Sequence, residues 1–270
     1  MFTELDREEF EKERRSIFFG DVEYVHLGRK FGDFNPNHVG GIFRIINAAT
    51  LLGLKSVALA MPSSTFSNQV LCLSQHAECF PWDSFSILYH RNKESDAILV
   101  ERNVKIGLVI ANADCHMGVF YHENSGKLAL VHLGLRCLVP SDKKTNSIID
   151  NIFAAMRESP SQIKVFVGGG IGCCCNGYVE GYEYLNYVKD LYPLAVVGKV
   201  EKGPREGQQA VEILTIIKQQ LFSSQVKKEN VFINYACSAC NCEDGEQKYF
   251  SNVYDKEKAK ERNLFLVKVN

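Results

Sequence analysis

Residues 104–140 read VKIGLVIANADCHMGVFYHENSGKLALVHLGLRCLVP, two apolar, β-rich runs on either side of the turn-prone Glu123-Asn124-Ser125-Gly126. That pattern predicts a β-hairpin. A two-residue loop at Asn124 and Ser125 sets Glu123 opposite Gly126 and Cys115 opposite Gly134. His132 then shares a face with Cys115, as a diagonal neighbour about 7–8 Å away between Cα atoms. A slip of one residue would put the two on opposite faces, so the register decides whether they can meet.

Outward from this hairpin the chain alternates between the two periods. Upstream lie a charged stretch over residues 1–19, helical or frayed, then a strand followed by turn chemistry at Asn35, Pro36, Asn37 and Gly40. A helix is predicted over IFRIINAATLLGL, and strands over KSVALAM, QVLCLSQ and FSILYH. Downstream, TNSIIDNIFAAMRE spaces its apolar residues three and four apart behind a capping Thr or Asn. A strand, IKVFVGG, leads into a loop with three adjacent cysteines, Cys173 to Cys175. Helices over EYLNYVKDLY and GQQAVEILTIIKQQLFSS and strands over VFINYAC and NLFLVKV follow. Strands and helices without strict βαβ alternation, repeat or linker predict an α+β fold, read as one domain over 1–270 with 1–19 as a charged N-terminal extension.

The 270 residues carry 31 Lys and Arg against 32 Asp and Glu, a formal net charge of −1 that offers no electrostatic grip on a nucleic-acid backbone. No signal-peptide core and no run of about 18 apolar residues is present, so no membrane partner is expected and the protein should be cytoplasmic. Thiols stay reduced there, and the ten cysteines read as core fillers, metal ligands or nucleophiles before disulfides.

Cys115 and His132 admit several readings. Taken singly, one is a small buried hydrophobe and the other a core histidine satisfied by one hydrogen bond. Taken together, a soft thiolate and an imidazole suit Zn²⁺ once a third ligand is found, leaving a fourth position open. Without metal, the same pair is a nucleophile and base.

NADCHMGVF, VHLGLRC, GGIGCCC and the tail CSAC…YFSNVYD resemble, in order, the motifs of the multicopper polyphenol oxidase or laccase-domain family of YfiH type. The resemblance implies a four-layer α/β/β/α sandwich of mixed sheets, an arrangement shared with toxin deamidases that use a Cys-His pair. It also implies an open metal site, zinc in preference to copper, whose ligands would be His76, Cys115 and His132. The implied activities are phosphorolysis of adenosine, inosine and methylthioadenosine, and hydrolytic deamination of adenosine. The partners would then be a purine nucleoside and phosphate, with the protein a monomer. In that frame Asp114 is either a proton carrier or a turn carboxylate. Arg136 is either an anion contact or a surface ion pair. Arg29, Asn35 and His38 would line the substrate pocket. His26, His90, His116 and His122 match no family role and are taken as solvated or structural.

The chain departs from the family pattern at Leu135, where the family has tryptophan, at Cys137 in place of glycine, and at NVY in place of an arginine pair. Only Arg44 is left as a shifted candidate for the arginine of another family motif. These losses set beside the zinc enzyme two rivals: a metal-free Cys-His hydrolase or deamidase, and a non-catalytic metal or purine sensor. Copper oxidation would call for more histidines than one cluster supplies. Cys237-Ser-Ala-Cys240 has the spacing of half a zinc site that only Cys173 to Cys175 could complete. The plainer expectation leaves all of these as reduced framework cysteines.

Overall fold

The computed structural model describes residues 5–38, 40–54, 58–64, 66–73, 81–82, 85–101, 106–141, 145–255 and 260–269, with backbone alone at 19, 58, 63, 81–82 and 85–93. Two mixed sheets organise them. The larger runs, in spatial order, through Arg14–Ile17, Val22–Leu27, Asn263–Val269, Ile106–Asn112, Ala58–Ser63, Phe85–Glu94 and Pro81–Trp82. The second runs through Val231–Ile233, Lys164–Gly168, His116–His122, Lys127–Leu133, Ala97–Val100 and Val70–Leu73. Parallel and antiparallel pairs occur in both, as expected for an α+β chain.

The hairpin forms in the predicted register, with Lys127 opposite His122 and Leu133 opposite His116. Its residues are buried on both faces, which explains why the runs are almost continuously apolar rather than alternating. One face contributes Met117, Val119, Leu128 and Leu130 to an apolar cluster shared with Ile110, Phe265 and Val267 of the other sheet. The opposite face sends Phe120, Ala129 and Val131 into a cluster with Ile149, Ile152, Ile216 and Ile217 of two helices. A third cluster packs the helix Gly41–Leu51, through Ile45, Ala48 and Ala49, on Val25, Val109 and Leu266 of the larger sheet.

Several local expectations shift. The charged N-terminus holds a helix at Arg7–Glu13 that passes directly into the edge strand Arg14–Ile17. The helix Ile148–Met156 is capped by Ser147, whose hydroxyl accepts from the Asp150 amide while the Asp150 carboxylate reaches back, a reciprocal pair that Thr145 and Asn146 stand too early to make. The long helix expected from residue 207 begins only at Ile213. Gln209–Val211 instead forms the middle strand of a small sheet with Gly177–Tyr178 and Val196–Lys199, and Glu212 caps the helix that follows.

Candidate active site

The strands Ile106–Asn112 and His116–His122 belong to different sheets, so residues 113–115 must turn the chain sharply from one to the other. Asp114 takes the corner at φ +76°, a left-handed conformation that Asp tolerates better than most residues. Its carboxylate accepts from Ser238 Oγ at 2.8 Å and from the Val253 amide at 3.0 Å, and its carbonyl accepts from the Ile171 amide at 2.7 Å. Both carboxylate oxygens of Asp114 are thus engaged within a buried turn. Asn112 Nδ2 donates to the Cys115 carbonyl at 2.6 Å and closes the same corner. Cys115 emerges from it partly exposed, as a free thiol.

His132 sits opposite Met117, as the register requires, on the Cys115 face of the hairpin, and its imidazole feels the charge of the Cys115 sulfur. Its Nδ1 meets Asp96 Oδ1 at 2.9 Å, both side chains being buried. Asp96 stands one residue ahead of the strand Ala97–Val100, whose register with Lys127–Leu133 places it directly across from His132. The Phe66, Ser67 and Asn68 amides and the Ser67 hydroxyl also point at its carboxylate, at 2.6 to 3.2 Å. Burial would raise Asp96, but His132 and these donors hold it below the usual carboxylate value. Burial would likewise push His132 down, yet the Cys115 sulfur and Asp96, with a further contribution from Cys137, hold it well above the usual imidazole value. Cys137 Sγ lies 3.8 Å from the same Nδ1, and burial pushes that thiol up, so it stays protonated.

Because Asp96 engages Nδ1, Nε2 is the ring nitrogen left for a second partner. A Cβ added at Gly134, which lines the cleft, would lie 3.2 Å from Nε2 and 2.8 Å from Phe66 Cε1. The glycine is present for space rather than for backbone freedom, since its φ of −73° suits any residue. Gly134→Ala is therefore expected to leave the melting temperature nearly unchanged but to lower activity by up to about 10²-fold, through displacement of the imidazole. Steady-state kinetics beside a thermal melt checks this.

Cys115 and Gly134 belong to a cleft of about 180 Å³ whose opposite wall carries Asn176, Tyr178 and Arg205. Arg205 donates to the Gly177 carbonyl at 2.8 Å and stands 5.7 Å from the Tyr178 ring centre. Burial pushes the Tyr178 phenol up to about 12, which keeps it a hydrogen-bond donor near neutrality. Neither Asp96 nor Arg205 was singled out from the sequence. Asp96 sits in KESDAILV, where nothing local marks it, and Arg205 sits in KGPREG, which reads as an exposed turn.

The other expected site residues are placed elsewhere. Arg136 is exposed on the short helix Leu135–Leu138 and does not line this cleft. It lies over the Phe66 and Tyr184 rings at 5.6 and 5.3 Å, with Tyr182 Oη at 3.5 Å, an aromatic setting. Arg29 lines a separate cleft of about 370 Å³ with Lys30 and Lys248, and is bound to the Tyr249 carbonyl, Gln247 and Asp255. Asn35 and His38 form a third group with Asp33 and do not line the Cys115 cleft. Arg44 donates to the Asp33 carbonyl at 3.2 Å, beside that group. His76 lies outside the described residues, as does the His90 side chain. His26, His116 and His122 are buried, and His116 borders the Cys115 cleft.

The residues around His132 are of the kinds that hold a metal ion. A soft sulfur and an imidazole converge, and the imidazole's far nitrogen is anchored by a carboxylate, the support that zinc-binding histidines usually have. Among the described residues, no helix is long and apolar enough to cross a membrane.

A family model described as Multi-copper polyphenol oxidoreductase laccase matches residues 16–266, and the chain belongs to that family. Its fold is similar to that of YfiH from Bacillus licheniformis, with a TM-score of 0.71 at 16% identity over 94% of each chain. It is also similar to YlmD from Geobacillus stearothermophilus, with a TM-score of 0.69 at 18% identity over 93% of each chain. A Neisseria meningitidis protein gives 0.68 at 14% identity, over 93% of this chain and 95% of that one. A search of curated proteins finds no match.

Proposed function

We propose that the chain is a zinc-dependent purine nucleoside enzyme, acting as a monomer, that cleaves adenosine, inosine or methylthioadenosine with phosphate or deaminates adenosine with water. The observation that carries the reading is the meeting of Cys115 with an Asp96-backed His132 at the edge of a small cleft. Three apolar clusters, one between the sheets and one on the outer face of each, support the four-layer arrangement that goes with this family resemblance. Cys115 and His132 would hold the metal, with His76 as the third ligand that the resemblance implies. Zinc bound there would supply Lewis acidity. Arg205 takes the anion-holding role first expected of Arg136, because its guanidinium borders the cleft and a planar fork suits phosphate or ribose oxygens. Tyr178 and Asn176 stand beside it as polar contacts for a ligand in the same cleft. Phosphorolysis joins phosphate to the ribose carbon and releases the base, while deamination replaces the exocyclic amine with water oxygen and releases ammonia.

One observation favours a second reading. Cys115, His132 and Asp96 stand in the order nucleophile, base and orienting carboxylate, the arrangement of a metal-free cysteine hydrolase. The two part on one experiment: purify the protein under reducing conditions without added metal, quantify zinc, and assay adenosine and inosine with and without phosphate. The expected result is zinc that falls by one equivalent in Cys115→Ala, with base or ammonia release lost in that variant. Activity that persists after the Cys115-dependent zinc is stripped would overturn the metal reading. Zinc at Cys115 with no turnover above the variant would favour a sensor.

A further inference from the structure

The loop after Lys164–Gly168 and the segment after Val231–Ile233 leave neighbouring parallel strands at the same end of their sheet. They stay paired beyond it. Gly170 bridges Cys237, and the Ser238 amide donates to the Gly170 carbonyl at 2.9 Å. This brings Cys174 and Cys175 against Cys237 and Cys240, with all four sulfurs within 4.8 Å of one another. Cys174 Sγ and Cys240 Sγ, 66 residues apart in sequence, are 3.5 Å apart.

Three features separate this from an accidental group of thiols. The first is size: four Zn–S bonds of about 2.3 Å in a tetrahedron put the sulfurs about 3.8 Å apart, a spacing that this cluster brackets. The second is that the sulfurs are unbonded: all four are free thiols, and Cys174 and Cys240 stand well beyond the roughly 2.05 Å of a disulfide. The third is the direction of the backbone. The Gly172 amide donates to Cys237 Sγ at 3.2 Å, which ties the cysteine loop directly to the tail sulfur. The Cys237-x-x-Cys240 turn is half of a tetrahedral site, and Cys174 and Cys175 supply the other half.

We propose that Cys174, Cys175, Cys237 and Cys240 bind one zinc ion in an all-thiolate, tetrahedral site separate from Cys115 and His132. The donor set is closed, with no oxygen or nitrogen and no open position, so the site is structural. Its place explains its use. The apolar cluster under these loops is small, with Ile171, Cys237, Ala239 and Val253 as its buried members. Ser238, between the two tail ligands, donates to Asp114, the residue before Cys115. Ile171, just ahead of the cysteine loop, donates to the Asp114 carbonyl. An ion joining the two loops would thereby hold the corner that presents Cys115. The two exposed ligands, Cys174 and Cys240, leave a route for metal exchange.

The test uses the full chain purified under reducing conditions, with zinc quantified by mass spectrometry and cobalt(II) as the optical probe. Cys115→Ala is expected to retain one zinc and, after exchange, to show the charge-transfer and d–d bands of tetrahedral all-thiolate cobalt. The double variant Cys174→Ser, Cys240→Ser is expected to lose one equivalent of zinc and that spectrum, and to melt at lower temperature. Should the double variant not fold, the cobalt spectrum of Cys115→Ala decides alone. Its absence overturns the proposal. So does equal zinc in the wild type and a folded double variant, or two native disulfides among these four residues in alkylated protein. Because the Cys115 and four-cysteine variants remove different equivalents, failure here is distinguishable from failure of the nucleoside-enzyme reading.

Discussion

On the zinc reading, Asp96→Asn is expected to weaken metal binding at Cys115 and His132 by about 10- to 100-fold, the usual cost of losing the outer partner of a ligating histidine. The carboxylate engages Nδ1, so Nε2 is the nitrogen that would meet a metal on giving up its proton. An amide loses the charge, and its NH₂ group can donate to Nδ1 and move the proton to Nε2. Activity should recover at saturating zinc, since the amide removes no ligand. The metal-free reading gives the opposite pattern: there the carboxylate stabilises an imidazolium during turnover, and the same change lowers kcat by about 10⁴-fold with no recovery on adding zinc. A chelator-competition titration and kcat measured against zinc concentration separate the two. Asp96 also accepts from the Ser67 and Asn68 amides, so some stability should be lost, about 1–3 kcal/mol for donors left unpaired. A melting curve measures that part independently of the metal.

The hairpin at the centre of the site was legible in the sequence because turn chemistry at Glu123 to Gly126 and the apolar runs around it are both local, and together they set the register. The helix Ile148–Met156 and the strand Asn263–Val269 were legible for the same reason. What stayed hidden depends on contacts between distant segments. Asp96 meets His132 only because Ala97–Val100 lies beside Lys127–Leu133, a pairing across about thirty residues that no periodicity announces. Arg136 was misplaced because apolar neighbours in sequence suggest burial. In the helical turn Leu135–Leu138, however, Cys137 and Leu138 point inward while Arg136 faces out. Gln209–Val211 carries a helix-compatible pattern and becomes a strand because Gly177 and Val196 flank it. The four clustered cysteines show both sides of this: their turn spacing is visible at Cys237 and Cys240, and the partners come only with the parallel strands.

Stability should fall steeply as the pH drops from about 6.5 to about 4.5, by about 2 kcal/mol from His26 alone. His26 is enclosed by Tyr249, stacked at 4.3 Å between ring centres, and by the edge of Phe265 at 5.7 Å. Among the described residues its Nδ1 has no hydrogen-bond partner. Burial, reinforced by the positive charge of Lys248, lowers it from the ordinary 6.5 to about 3. Below pH 6.5 the unfolded chain therefore binds a proton that the folded chain refuses, and each pH unit costs about 1.4 kcal/mol per such group. His116, also buried and lowered by that burial, acts in the same direction. His132 does not: its value is raised, so below pH 6.5 it is protonated in both states and adds no slope there. The lowered carboxylates, Asp96 and Glu23 among them, lose their stabilisation only at more acid pH, as they approach protonation. His26→Phe keeps the stacking on Tyr249 and removes the titrating group. Urea unfolding at a series of pH values should show the variant close to the wild type near neutrality and more stable below pH 6, with a slope shallower by one proton. An unchanged slope would mean that His26 admits a proton without unfolding, and the acid sensitivity would then have to come from elsewhere.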